Sequence, residues 1–124
     1  MIQIIIKIVF DYFHMNPILV NSTTRKREIV QSRQISMYFA KKLTKYSLAE
    51  IGYNIGGKDH ATVLHAIKTV NNLIDTDKKI ANYIADLEML LDQYKEKVTI
   101  YEPIIFTEIE IEKAFNTWVT ESIY

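Results

Sequence analysis

Polar side chains stand at positions 3, 7, 11 and 14 of an otherwise apolar N-terminal segment. That interval traces one stripe along a helix. Ile2, Ile5, Ile6, Val9 and Phe13 fall on the opposite face. The spacing therefore predicts a first helix, although so many β-branched residues also suit a strand. Asn16-Pro17 ends it, and Ile18 to Val20 reads as one short apolar turn. After a polar, basic loop from Asn21 to Arg27, a second helix is expected over Glu28–Lys45. Ile35, Phe39 and Leu43 form its buried stripe, and Gln34, Tyr38, Lys41 and Lys45 form a second, largely basic one. Ser47 with Glu50 three residues on is a capping box for a short helix, Leu48–Ile55. Gly56-Gly57 stops that helix. Asp59 caps the next, from His60 to about Ile74, with Val63, Leu64, Ile67 and Val70 facing inward. Asp77 opens a further helix to about Lys97, with Ile80, Ile84, Leu87 and Leu91 as its stripe.

Beyond Lys97 the character changes. Val98 to Pro103 reads as extended. Thr107 and Glu110 make another capping box, and Ile111, Phe115, Trp118 and Ser122 line one face of a terminal helix. A lone helix cannot bury Phe115 and Trp118 against itself, so these residues must pack on the domain, a second copy or a partner. The expected organisation is thus an all-α domain over residues 1–97 and an acidic extension over 98–124.

A chain of 124 residues, 48% apolar and 24% charged, can bury one core and leaves no room for a multi-domain enzyme. Zero Cys excludes a disulfide scaffold, a thiolate zinc site and a Cys nucleophile. The apolar start lacks a basic leader and a cleavage site and is too short to span a bilayer, so no export signal is read and a cytoplasmic location is expected. Net charge is zero, which by itself disfavours a phosphate-binding surface. Position reverses that conclusion. Residues 1–74 hold ten basic and four acidic side chains, and the remaining 50 hold five and eleven. The whole excess of +6 recurs within Ser22–Lys68, with nine basic residues against three acidic. Such a split fits a basic surface for nucleic acid with an acidic tail; two solvated faces of opposite sign would produce the same count.

Gly52-Tyr53-Asn54-Ile55-Gly56-Gly57-Lys58-Asp59 has the spacing of a phosphate-binding loop, but ends in Asp where a Ser or Thr hydroxyl must ligate magnesium, and it follows a helix and not a strand. His60 and His65, five apart on one helix, point apart and make no metal pair. Asp59 beside His60 has no nucleophile spaced to join it. What remains is helix, glycine turn, helix: a helix-turn-helix candidate whose second helix would offer Asp59, His60, Ala61 and Thr62 to base edges. An ordinary helical hairpin within a bundle has the same pattern.

The blocks Arg25-Lys26-Arg27-Glu28-Ile29-Val30-Gln31-Ser32-Arg33-Gln34, Ser47-Leu48-Ala49-Glu50-Ile51-Gly52 and Gly56-Gly57-Lys58-Asp59-His60-Ala61-Thr62-Val63-Leu64-His65 resemble the C-terminal DNA-binding domain of the bacterial replication initiator DnaA. The resemblance extends from about Ile2 to Leu91 and is strongest over Arg25–Val70. It implies an all-α, Trp repressor-like fold that binds short asymmetric boxes in double-stranded DNA, with no cofactor and no metal. It further implies that Arg25 enters the minor groove, that Arg33, Gln34 and Lys41 meet the backbone, and that Asp59, His60, Ala61 and Thr62 read the major groove. Lys26 and Lys45 add basic charge to that surface. Lys58 stands where the family usually has Arg, and Ala61 where Thr is frequent, which bears on fine sequence preference.

The sequence therefore reads as a free-standing DnaA-like protein without an ATPase module, serving replication control or transcription and performing no chemistry. The other reading is a protein-interaction module, or a homodimer, using the apolar face that carries Phe115 and Trp118. The +6/−6 split also raises the possibility of a tail that folds back over the basic face.

Overall fold

The computed structural model describes residues 1–100 and the side chains as far as Tyr94. Five helices follow one another: α1 (Ile2–Tyr12), α2 (Arg27–Leu43), α3 (Leu48–Asn54), α4 (His60–Thr76) and α5 (Lys78–Ile100). A short 3-10 turn, Pro17–Asn21, links α1 to α2, with the Asn16 side chain accepting from the Ile18 amide at 3.0 Å. No strand occurs among the described residues. No described helix is long and apolar enough to cross a membrane.

α1 is buried along most of its length. Ile5, Val9 and Phe10 are inaccessible to solvent, and Ile2, Ile6 and Ile8 nearly so. Burial extends beyond the predicted stripe because α2, α5 and the 3-10 turn cover the helix from several sides. Asp11, expected on its polar stripe, is itself buried. Burial pushes its carboxyl above the ordinary value, and the charge of His14 partly opposes this. His14 closes the helix with φ 59, a left-handed geometry His can tolerate. At the outer end of α1, Tyr12, Phe13 and Tyr83 of α5 meet edge to face at 5.0–5.9 Å. The Tyr12 hydroxyl donates to Asp86 Oδ2 at 2.6 Å, and burial together with that bond pushes the phenol up to about 12.

α2 runs from Arg27 to Leu43, one residue earlier at its start than the pattern predicts and two shorter at its end. Thr44 is extended and closes it by donating its amide to the Ala40 carbonyl. Its buried face is wider than the apolar residues indicate, since Ser32, Arg33 and Ser36 are buried with Ile35, Met37 and Phe39. The serines need no partner from elsewhere. Ser32 Oγ donates to the Glu28 carbonyl and Ser36 Oγ to that of Ser32, both at 2.8 Å. On α4, Val63, Ala66 and Val70 are buried, but Leu64, expected inward, is exposed. One residue turns a helix by about 100°, so Leu64 lies beyond the edge of a stripe spaced three and four apart. All four expected stripe residues of α5 are buried.

α5 continues through Val98, Thr99 and Ile100, where an extended segment is expected. β-branched residues lower helix propensity by only a fraction of a kcal/mol each, on the order of 0.5, too little to halt a helix already under way. The expected boundary at 97/98 therefore falls inside a helix. The predicted terminal helix, with Phe115 and Trp118, lies outside the described residues.

Candidate nucleic-acid interface

α3 and α4 are set against each other by backbone chemistry. Ser47 caps α3, its Oγ accepting from the Glu50 amide at 3.2 Å and donating to the Glu50 carboxylate at 3.1 Å. The chain then folds back so closely that the Lys58 amide donates to the Gly52 carbonyl at 2.8 Å. A Cβ on Gly52 would lie 2.1 Å from the Lys58 carbonyl oxygen, so only glycine fits. Gly56 and Gly57 turn the chain with φ of 86° and 63°. Ile51, Ile55 and Val63, all fully buried, anchor the two helices to the core. The phosphate-loop spacing of Gly52–Asp59 is thus the geometry of this turn.

Asp59 caps α4, Oδ1 accepting from the Thr62 amide at 2.8 Å. Hydrogen bonds from Thr62 hold its exposed carboxyl below the ordinary value. Asp59, His60, Ala61 and Thr62 are all exposed. The first turn of α4 is therefore rigid in backbone and open in side chain. Its carboxylate disfavours a phosphate at that point and suits an amino group on a base edge, such as N4 of cytosine.

The basic loop is held as well. The Thr24 amide donates to Ser22 Oγ at 3.2 Å and the Lys26 amide to Thr24 Oγ1 at 3.3 Å, while Arg33 Nη2 donates to the Thr24 carbonyl at 3.1 Å. Arg25 and Lys26 project from this loop, exposed. Between loop and helix-turn-helix runs a groove of about 330 Å³ whose wall brings together Arg25, Gln34, Lys58, Thr62 and His65. Of the residues singled out in the sequence, Arg25, Arg33, Gln34, Lys58 and Thr62 meet there. Lys26, Lys41, Lys45, Asp59, His60 and Ala61 are exposed outside its wall. Arg33 differs from the rest, being buried. Lys42, between Lys41 and Lys45, is diverted to Glu88 of α5 and lies 5.8 Å from the Tyr38 ring centre.

Sequence reasoning missed Thr23, Thr24 and His65 in this wall. The Ser22/Thr24 alternation and the spacing of His65 three residues after Thr62 are the signals that point to them. His60 lies outside the wall, in line with the opposed directions expected of the two histidines. No group of three or more His, Cys, Asp or Glu able to hold a metal occurs among the described residues.

Residues 2–70 match the family model of the bacterial dnaA protein helix-turn-helix. The chain is 52% identical over 90 residues to the chromosomal replication initiator protein DnaA of Flavobacterium psychrophilum, covering 73% of this chain and 19% of that protein. Against the protein of the same name from Bacteroides thetaiotaomicron it is 46% identical over 87 residues, covering 70% and 18%. For that of Wolbachia pipientis wMel the identity is 47% over 89 residues, covering 72% and 19%. The chain thus spans about a fifth of the length of the curated relatives it matches.

Proposed function

Because the chain belongs to the family of bacterial DnaA helix-turn-helix domains, we propose that it binds double-stranded DNA at DnaA-box-like sites, without nucleotide hydrolysis, in the control of replication or transcription. The observation that carries this reading is the shared groove: Arg25 of the basic loop and Thr62 of the first turn of α4 line it together. Two neighbouring grooves of one duplex present themselves to a protein in that way. Arg25 enters the minor groove, where a guanidinium suits the narrow, negative A·T tract. Asp59, His60, Ala61 and Thr62 face base edges in the major groove, Ala61 meeting a thymine methyl and Asp59 accepting from an exocyclic amine. Gln34, Lys41, Lys45, Lys26 and Lys58 hold the phosphates and set the register without reading sequence. Lys58, a point charge, tolerates more than one phosphate geometry where Arg would impose one.

Fluorescence anisotropy with a box-containing duplex, a scrambled duplex and a salt series tests the reading. Preference for the box is expected, with affinity falling as salt rises by a logarithmic slope of about 0.9 per phosphate held. Arg25→Ala should weaken binding and relax the A·T preference. His60→Ala should chiefly cost discrimination between boxes, about 1–3 kcal/mol. Equal binding to both duplexes, or none at low salt, overturns it.

A further inference from the structure

Arg33 has only 7% of its surface exposed, an unusual place for a side chain that the family resemblance assigns to the DNA backbone. Its Nη2 donates to the Thr24 carbonyl at 3.1 Å, the peptide that leads directly into Arg25. Its Cδ stands 3.1 Å from where a Cβ on Gly56 would be, so its stem packs against the turn that precedes Lys58 and the first turn of α4. One side chain thus touches both the loop that carries Arg25 and the turn that aims His60. Its Nε is buried without a hydrogen-bond partner, and burial lowers the guanidinium's affinity for its proton. Interior charge of this kind, incompletely hydrogen-bonded, costs stability. Lys41 and Lys45 are exposed and have tips free to meet phosphate oxygens; this guanidinium has little surface left to offer one.

We propose that Arg33 is a positioning residue: by joining the Thr24 carbonyl to the Gly56 turn, it sets the distance between the Arg25 loop and the first turn of α4, so that both reach one duplex together. The proposal rests on the DNA-binding reading above. A loop held in its bound conformation avoids the ordering cost that a free loop meets on binding. Arg33 then acts through Arg25, and its removal has no further effect once Arg25 is gone.

The test is a double-mutant cycle by anisotropy on the box duplex across a salt series, using wild type, Arg33→Met, Arg25→Ala and the double variant. All are measured at a temperature where circular dichroism shows each to be folded. Arg33→Met should weaken box binding roughly tenfold, the loss of one charge-assisted hydrogen bond, with the salt slope unchanged. Added to Arg25→Ala, it should change affinity little. A slope shallower by about 0.9 with losses that multiply is the behaviour of a phosphate contact, and it overturns the proposal. Should Arg33→Met fail to fold, Arg33→Lys carries the same cycle. It keeps the charge but not the planar fork, so a weakened, slope-neutral and non-additive effect supports the proposal, and wild-type binding overturns it. If the wild-type chain shows no preference for the box, the DNA reading itself fails and takes this proposal with it. If wild type prefers the box and Arg25→Ala weakens it while the two losses multiply, only the role of Arg33 falls.

Discussion

In α1, seven of eleven residues are buried, whereas the four residues from Asp59 to Thr62 at the start of α4 are all exposed. Both segments are fixed in place, by different means. α1 is held by side chains, Ile5, Val9 and Phe10 contributing apolar surface removed from water at about 25 cal/mol per Å². The first turn of α4 is held by hydrogen bonds and backbone geometry: the Gly52–Lys58 bond, the glycine turn and the Asp59 side-chain cap on the Thr62 amide. A recognition turn secured in this way spends the Asp59 side chain on its cap and leaves those of His60 and Ala61 without structural duties, free to meet DNA. α1 can vary only within the limits of close packing.

The largest test of the contrast is Phe10→Ala. It should cost about 3–5 kcal/mol in urea denaturation, as expected for a fully buried aromatic, while the folded fraction keeps its preference for the box duplex. A loss below about 1 kcal/mol would show that α1 is not held by packing. Gly52→Ala comes next, at about 3 kcal/mol, since its Cβ would overlap the Lys58 carbonyl. Here stability and box discrimination should fall together, because the substitution opens the turn that aims α4; unchanged discrimination in the folded variant would break the link between the turn and recognition.

The smallest effect separates two carboxylates. Asp11, in the core, has a raised pKa from burial; Asp59, on the exposed turn, has a lowered one from its bonds with Thr62. The folded state therefore favours the protonated form of Asp11 and the ionised form of Asp59. The contribution of Asp11 is complete below the unfolded carboxylate value and is lost as pH rises through its raised folded one. The contribution of Asp59 is present above the unfolded value and is lost as pH falls through its lowered folded one. In thermal melts between neutral and acid pH, wild type should therefore gain on Asp11→Asn and lose ground to Asp59→Asn as the pH falls. Shifts of the same sign in both would remove the distinction.

Much of the architecture was legible in local pattern. The capping of α3 by Ser47 and of α4 by Asp59 was readable because each cap bonds residues three apart. The stripe of α5 was readable because that helix buries a single face. The reach of α5 through Ile100 was not, since β-branched residues hint at a strand and only an established helix overrides them. Nor was the burial of Ser32 and Ser36, whose hydroxyls are satisfied within their own helix and so escape the usual penalty for polar groups in a core.

Sequence by itself determined the number and order of the described helices, the helix-turn-helix and the concentration of positive charge between Ser22 and Lys68. Periodicity, caps and glycines act over a few residues and are written in adjacent letters. Only the tertiary structure decided that Arg33 turns inward to the Thr24 carbonyl, that Leu64 stays in solvent, and that Arg25 and Thr62 share one groove. Each of those outcomes depends on what another element, far along the chain, brings against the residue. The helix's own pattern marks the middle of its buried face, but the limits of that face are a property of the assembled surface.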